Sequence, residues 1–381
     1  MKKIILIPDS FKGTMSSAEI CAISTAEIKK EFPLAEVDSI PVADGGEGSV
    51  DCFLQAMGGE RIQVEVKGPF FENGLSFYGL LEAGKIAVIE MASCAGLPMV
   101  EGRMAPDETT TYGVGQLMLD AVSRGAKKLI IGLGGSCTND GGCGVAAACG
   151  IKFMDKLGRE FIPVGGTLKD ICRIDVSGKA PQLEGIEIIA MCDIDNPLCG
   201  PQGAAFVFGP QKGADENMVD SLDKGLLHMA TVIKDNLHQD VLEIPGAGAA
   251  GGLGAGMKAF FDADLQMGIE VVLDTVRFEE RIHSADLVIS GEGRIDTQSL
   301  RGKVVIGVAR RTKAAKVPLV AIVGDIGDNI EDAYELGVAG IFSINRVAID
   351  YSKARKRSCQ DLALTVNNLM KFLKGWQVYS E

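Results

Sequence analysis

Short apolar runs that stop abruptly at glycine beside aspartate or glutamate recur along this chain, and that pattern limits the folds open to it. Residues 4–7, 287–289 and 319–323 are too short for helices and lack polar alternation, which marks strands buried on both faces. Helical segments separate them. Ser16 and Glu19 form a capping box that opens a helix to about residue 31. Further helical stretches lie near residues 46–57, 302–313 and 329–336, and a long one runs from roughly 353 to 372. With strands at residues 37–42 and 341–344, both chain ends read as alternating β and α, hence a parallel sheet covered on both faces.

Between the ends the texture changes. Residues 61–66, 76–81 and 86–91 read as strands with little between them, as in an antiparallel or mixed region. Two βα units follow, at residues 129–133 and 186–191. The expected fold class is therefore α/β with two domains. One is a Rossmann-like parallel sheet built from residues 1–65 and 284–381, and the other is a mixed α/β domain inserted at 66–283.

The net charge is −13, and no basic run exceeds residues 353–357, which argues against nucleic acid and against an anionic membrane surface. No stretch approaches the ~18 apolar residues of a membrane span. The first apolar run ends at Pro8-Asp9, too early for a signal peptide, so a cytoplasmic protein is expected. Cys137, Cys143 and Cys149 recur at six-residue spacing without a nearby histidine, and small buried thiols account for them better than a metal site does. Glycine stands out at 48 of 381 residues, against an ordinary ~7%. Much of that surplus is clustered.

Open parallel sheets bind ligands at the carboxyl ends of their strands, where the strand order reverses. Four strand ends here carry carboxylates beside glycine: Asp9 in PDSFKG, Asp44 in ADGGEG, Glu292 and Asp296 in SGEGRID, and Asp325 after Gly324. Each alone would serve as a cap or turn. Together with Lys12, Arg294 and Lys303 they describe the wall of a polar active site. Residues 132–142 (GLGGSCTNDGG) join an apolar strand to a small-residue helix at 143–149, a geometry that presents backbone N–H groups to phosphate. The same residues also suit a tight turn with close helix packing. Asp193 and Asp195, two apart in an extended segment, point the same way and suit shared coordination of Mg²⁺, although Asn196-Pro197 also fits a plain turn. Lys212, in FGPQKG, could reach a phosphate or cap a helix. Residues 246–251 (GAGAAG) match a dinucleotide fingerprint, but Pro245 interrupts the short run before them. Many carboxylates, glycine-cradled anion sites and few cations fit phosphoryl transfer, which needs positioning and charge neutralisation more than covalent chemistry.

These blocks, in this order from residue 8 to beyond 310, resemble the type-1 glycerate kinase family. Cys137 stands where alanine is expected and Ser290 where threonine is common, and neither departure removes a charge. The resemblance implies a two-domain enzyme using ATP, Mg²⁺ and D-glycerate, with bacterial members commonly phosphorylating the 2-hydroxyl. On the chemistry of the residues themselves, Asp193 with Asp195 is assigned to Mg²⁺, and Asp9 or Asp44 to the hydroxyl proton. Lys12, Arg294 and Ser10 are assigned to the glycerate, and Gly134, Gly135, Lys212 and Lys303 to phosphate. Two alternatives remain open. A nicotinamide-dependent 2-hydroxy-acid dehydrogenase would need a real strand before Gly246 and an acid about 20 residues on, where Glu270 is the candidate. A non-catalytic small-acid-binding protein would keep the glycines without the carboxylate-rich strand ends.

Overall fold

A computed structural model describes residues 1–43 and 45–380, with side chains described through residue 376. The chain divides into two compact units, Met1–Ala43 with Ile269–Glu381, and Asp44–Gly268.

Unit 1 is a five-stranded sheet in the order Val338–Ser343, Leu319–Val323, Leu287–Gly291, Lys3–Pro8, Glu36–Ser39, with every pairing parallel. The two chain ends therefore share one sheet, as their common alternation predicts: Ile4 pairs with Leu287 and Leu6 with Ile289. Ile4, Ile5, Leu6 and Ile7 are all buried, which is why that run is uniformly apolar. The Ser17–Glu31 helix opens with the expected capping box. The Glu19 N–H donates to Ser16 Oγ at 3.2 Å, and the Ser16 N–H donates to Glu19 Oε2 at 2.8 Å. The Ser358–Ser380 helix lies against it and contributes Leu362, Val366 and Met370 to the core.

Unit 2 is a six-stranded sheet in the order Asp264–Gln266, Glu187–Met191, Lys128–Gly132, Ile86–Glu90, Asn73–Leu81, Glu60–Lys67. The first three pairings are parallel and the last two antiparallel, so the mixed texture of the sequence corresponds to one mixed sheet.

The unit boundaries lie earlier than residues 65 and 284. The Glu60–Lys67 strand pairs along its whole length with Asn73–Leu81, which puts it in the second sheet. On the return, the Gly268–Thr275 helix packs so closely on Val304–Ala315 that a Cβ on Gly307 would lie 2.7 Å from Ile269 Cγ2. Local shifts also occur. The second strand is Glu36–Ser39, because past it the Ile40 and Val42 N–H groups turn to the Leu6 and Pro8 carbonyls. Only Asp332–Glu335 is α-helical within the 329–336 stretch. The long final helix begins at Ser358, after a short turn of helix and a 3₁₀ segment. Among the described residues no helix is long and apolar enough to cross a membrane.

Candidate active site

Numbered in chain order, the strands of unit 1 run 2-1-3-4-5, and the order reverses between Lys3–Pro8 and Leu287–Gly291. The loops leaving these two strands are where a doubly wound sheet takes its ligand. One carries Asp9, Ser10 and Lys12, and the other Glu292 and Arg294. The loops are tied at their roots, since the Asp9 N–H donates to the Gly291 carbonyl at 2.8 Å. The Ser10 N–H donates to Asp9 Oδ1 at 2.6 Å, so the carboxylate is held by its own turn. Gly291 has no alternative at its position: a Cβ there would lie 2.1 Å from the Ile322 carbonyl oxygen.

Glu292 is 5% exposed; the sequence places it among the strand-end carboxylates without giving it a role of its own. Burial pushes its carboxyl up to about 7; the Ser299 hydroxyl and Lys303 oppose the shift, while the charges of Asp9 and Asp296 add to it. Its Oε1 is buried without a hydrogen-bond partner among the described residues. Arg294 is exposed and lies 4.0 Å from Asp296 and 3.7 Å from Asp325. Lys303 is half-buried at the N-terminus of the Val304–Ala315 helix. Asp9 and Ser10 are half-buried and Lys12 exposed. The structure thus brings Asp9, Ser10, Lys12, Arg294 and Lys303 to one edge of one sheet. Asp44 lies outside the described residues.

In unit 2 the glycine loop leaves Lys128–Gly132 beside the segment leaving Glu187–Met191, because Gly132 and Met191 are register partners. Gly134 and Gly135 lie at its start. The Gly134 N–H donates to the Gly45 carbonyl at 3.0 Å, and a Cβ on Gly134 would sit 2.7 Å from Gly46 Cα, so this glycine packs backbone on backbone. Gly135 is exposed with φ +78°, a conformation that favours glycine. Lys212 is buried beneath the loop and donates to Ser136 Oγ and to the Thr138 carbonyl, both at 2.7 Å. Burial lowers its ammonium to about 8, with Cys137 and Asp140 opposing. Cys137 is buried, and burial pushes its thiol up to about 12, so it packs inertly.

Asp140, missed by sequence reasoning, organises the loop. Fully buried, it accepts from the N–H and Oγ1 of Thr111 at 2.7 and 2.8 Å and from the N–H groups of Gly142 and Gly144 at 3.0 and 3.2 Å. Burial raises its pKa against those four donors. The second glycine run packs on this loop: a Cβ on Gly251 would fall 2.0 Å from the Thr138 carbonyl oxygen, and one on Gly256 would fall 2.3 Å from that of Gly141. No strand precedes Gly246, so the dinucleotide fingerprint lacks the strand it needs. Glu90, buried at the end of Ile86–Glu90, accepts the Val50 N–H at 2.7 Å and so anchors the helix that follows the ADGGEG run.

Asp193 follows the Glu187–Met191 strand and is half-buried; its Oδ1 accepts the Gly268 N–H at 2.6 Å, which fixes the carboxylate at the strand end. Asp195 is exposed. Among the described residues no group of three or more His, Cys, Asp or Glu gathers as a metal cage. Mg²⁺ needs no such cage, since it commonly takes one or two carboxylates and fills its shell with water and substrate phosphate. This donor set fits that ion.

The family model described as the glycerate kinase family matches residues 4–374. A glycerate kinase from Bacillus cereus is 43% identical, with 100% of this chain and 99% of the relative covered. A glycerate 2-kinase from Escherichia coli is 45% identical over 90% of both chains. A crystal structure described as a glycerate kinase 2 from Salmonella typhimurium LT2 superposes with a TM-score of 0.88 at 39% identity, covering 99% of each chain. Family match, sequence and fold agree along nearly the full length, and the chain belongs to the glycerate kinase family.

Proposed function

We propose that this chain transfers the γ-phosphoryl group of ATP to the 2-hydroxyl of D-glycerate, giving 2-phosphoglycerate and ADP. The observation that carries the reading is the charged constellation Asp9, Lys12, Glu292 and Arg294 at the strand-order reversal of an all-parallel sheet. The name of the E. coli relative, a glycerate 2-kinase, supports the position of transfer.

Arg294, Lys12 and Ser10 anchor the substrate carboxylate, where a guanidinium fork fixes orientation as well as charge. In D-glycerate the 2-hydroxyl is borne by the carbon next to the carboxylate, so a rigid carboxylate anchor presents it ahead of the 3-hydroxyl. Asp9 or Asp44 takes the proton the attacking hydroxyl loses. The exposed Gly135, with Gly134 shaping the turn before it, lets phosphate approach the backbone, while Lys212 adds charge from beneath the loop and Lys303 from a helix N-terminus. Asp193, with Asp195, would hold Mg²⁺, which supplies neutralisation of the phosphoryl oxygens.

The test is incubation with D-glycerate, ATP and Mg²⁺, following ADP and then the ³¹P spectrum of the product. A phosphorus doublet, split by the single proton on C2, is expected; a triplet places the group on C3 and overturns the 2-hydroxyl assignment. Binding of glycerate without ADP formation would favour the non-catalytic reading.

A further inference from the structure

Glu292 is a buried carboxylate that the roles above leave unused. It sits at the end of the Leu287–Gly291 strand, directly beyond the Pro8–Gly291 register pair, so it faces the start of the Asp9 loop across the strand-order reversal. The backbone holds it there from both sides: the Gly324 N–H donates to its carbonyl at 3.1 Å, and the Asp9 N–H donates to the carbonyl of the preceding Gly291 at 2.8 Å. The charged and polar groups around its carboxyl are Asp9 from the first loop, Asp296 and Ser299 from the segment that follows, and Lys303 at the helix N-terminus. Its Oε1 has no partner among the described residues, an arrangement more costly for the charged carboxylate than for the protonated acid.

We infer that Glu292 is the proton store of phosphoryl transfer, taking up by way of Asp9 the proton that the attacking hydroxyl loses. The inference rests on the kinase reading with Asp9 as the first acceptor. The step balances. The hydroxyl oxygen bonds to the γ-phosphorus as the bond to the bridging oxygen breaks, and that electron pair leaves with ADP. The hydroxyl proton passes to an Asp9 oxygen and then, once the Glu292 carboxyl turns toward its Asp9 neighbour, to Glu292, and it returns to solvent after product leaves. Burial tunes the store for this task, since a carboxyl titrating at about 7 is half ionised near neutrality, whereas one at its ordinary value would hold a proton poorly. Glu292 acts through Asp9 and is therefore a positioning residue.

The experiment compares pH profiles of kcat and of the glycerate KM for the wild type, Glu292→Gln and Glu292→Asp. Wild-type kcat is expected to rise with pH through a limb near 7. In Glu292→Gln that limb should vanish and kcat drop about 100-fold, the low end for lost general acid–base assistance, while KM changes less than about twofold. Glu292→Asp should restore part of the rate with a shifted limb. A Glu292→Gln enzyme that keeps the limb and the rate overturns the inference. A second readout needs no turnover. In protein carrying ¹³C-labelled glutamate carboxyls, the resonance lost in Glu292→Gln should titrate near 7 and move lower in Asp9→Asn. An ordinary titration near 4.5 overturns the proton store whatever the substrate proves to be. A carboxyl that titrates near 7 in a protein that makes no ADP from glycerate and ATP sinks the kinase reading instead.

Discussion

Replacing Glu292 by glutamine should change how the stability of unit 1 depends on pH. The carboxyl titrates at about 7 in the folded chain, against an ordinary value of 4.5. Below 4.5 it is protonated in both states, so its contribution to stability is fully present. Between 4.5 and 7 the unfolded chain releases the proton while the folded chain keeps it, and stability falls as pH rises. Above 7 both forms are ionised and the loss is complete. A difference of about 2.5 in pKa, at about 1.36 kcal/mol for each, amounts to roughly 3 kcal/mol. Glutamine has the same shape and does not titrate, so Glu292→Gln should lack this decline. Any lost hydrogen bond would offset its curve by a constant without changing the slope. Trp376 is the only tryptophan and belongs to the Ser358–Ser380 helix of unit 1, so its fluorescence in urea titrations reads the relevant unit. Measured at pH 4, 6 and 8, the variant should gain about 3 kcal/mol relative to wild type from the lowest pH to the highest. Parallel curves across that range would refute the reasoning, because they would mean the carboxyl is not held protonated by burial.

Three further outcomes are expected. Gly251→Ala should lower the thermal midpoint of unit 2 sharply, since its Cβ would lie 2.0 Å from the Thr138 carbonyl at a φ of +66°, and strain of this kind destabilises by about 1–3 kcal/mol before any clash is counted; an unchanged midpoint in calorimetry would contradict the packing described. Asp193→Ala should cut turnover at least ~100-fold if the residue holds Mg²⁺, while near-normal turnover in a folded variant would reduce the 193–195 segment to a turn. Arg294→Lys keeps the charge and loses the fork, so it should raise the glycerate KM and mix the two phosphoglycerate products with the ATP KM unaffected; an unchanged KM and a single product would leave Arg294 as a surface ion pair with Asp296 and Asp325, worth under ~1 kcal/mol.

What could be read from the sequence followed from local chemistry. The capping box at Ser16 and Glu19, the buried strand at residues 4–7 and the sharing of one sheet by both chain ends all declare themselves in residue type and spacing. The unit boundary did not, because the strand at residues 60–67 alternates in the same way whichever sheet it joins; its partner, Asn73–Leu81, decides. What sets Glu292 apart from the other strand-end carboxylates was hidden for a related reason. Its weight comes from the strand order, which sets its strand beside Lys3–Pro8 across a long stretch of chain. Asp140, in front of two glycines, reads as an ordinary turn residue, and only the fold shows Thr111 converging on it. Lys212 looks locally like a surface lysine, and its burial depends on the loop laid over it.

The pairing of Lys3–Pro8 with Leu287–Gly291 also sets a timetable for synthesis. Unit 2 is one uninterrupted stretch, residues 44–268, and can finish folding while the ribosome is still translating. The first strand has no such option. Until its partner emerges about 280 residues later it has Glu36–Ser39 on one side only, and at about 5–20 residues per second the wait is roughly 15 to 55 s. Throughout that interval the nascent chain displays an open edge of isoleucine and leucine, the kind of surface that chaperones bind and that aggregates form on. Codon usage or temperature shifts that lengthen the wait should therefore reduce the yield of soluble protein without changing the stability of the molecules that do fold.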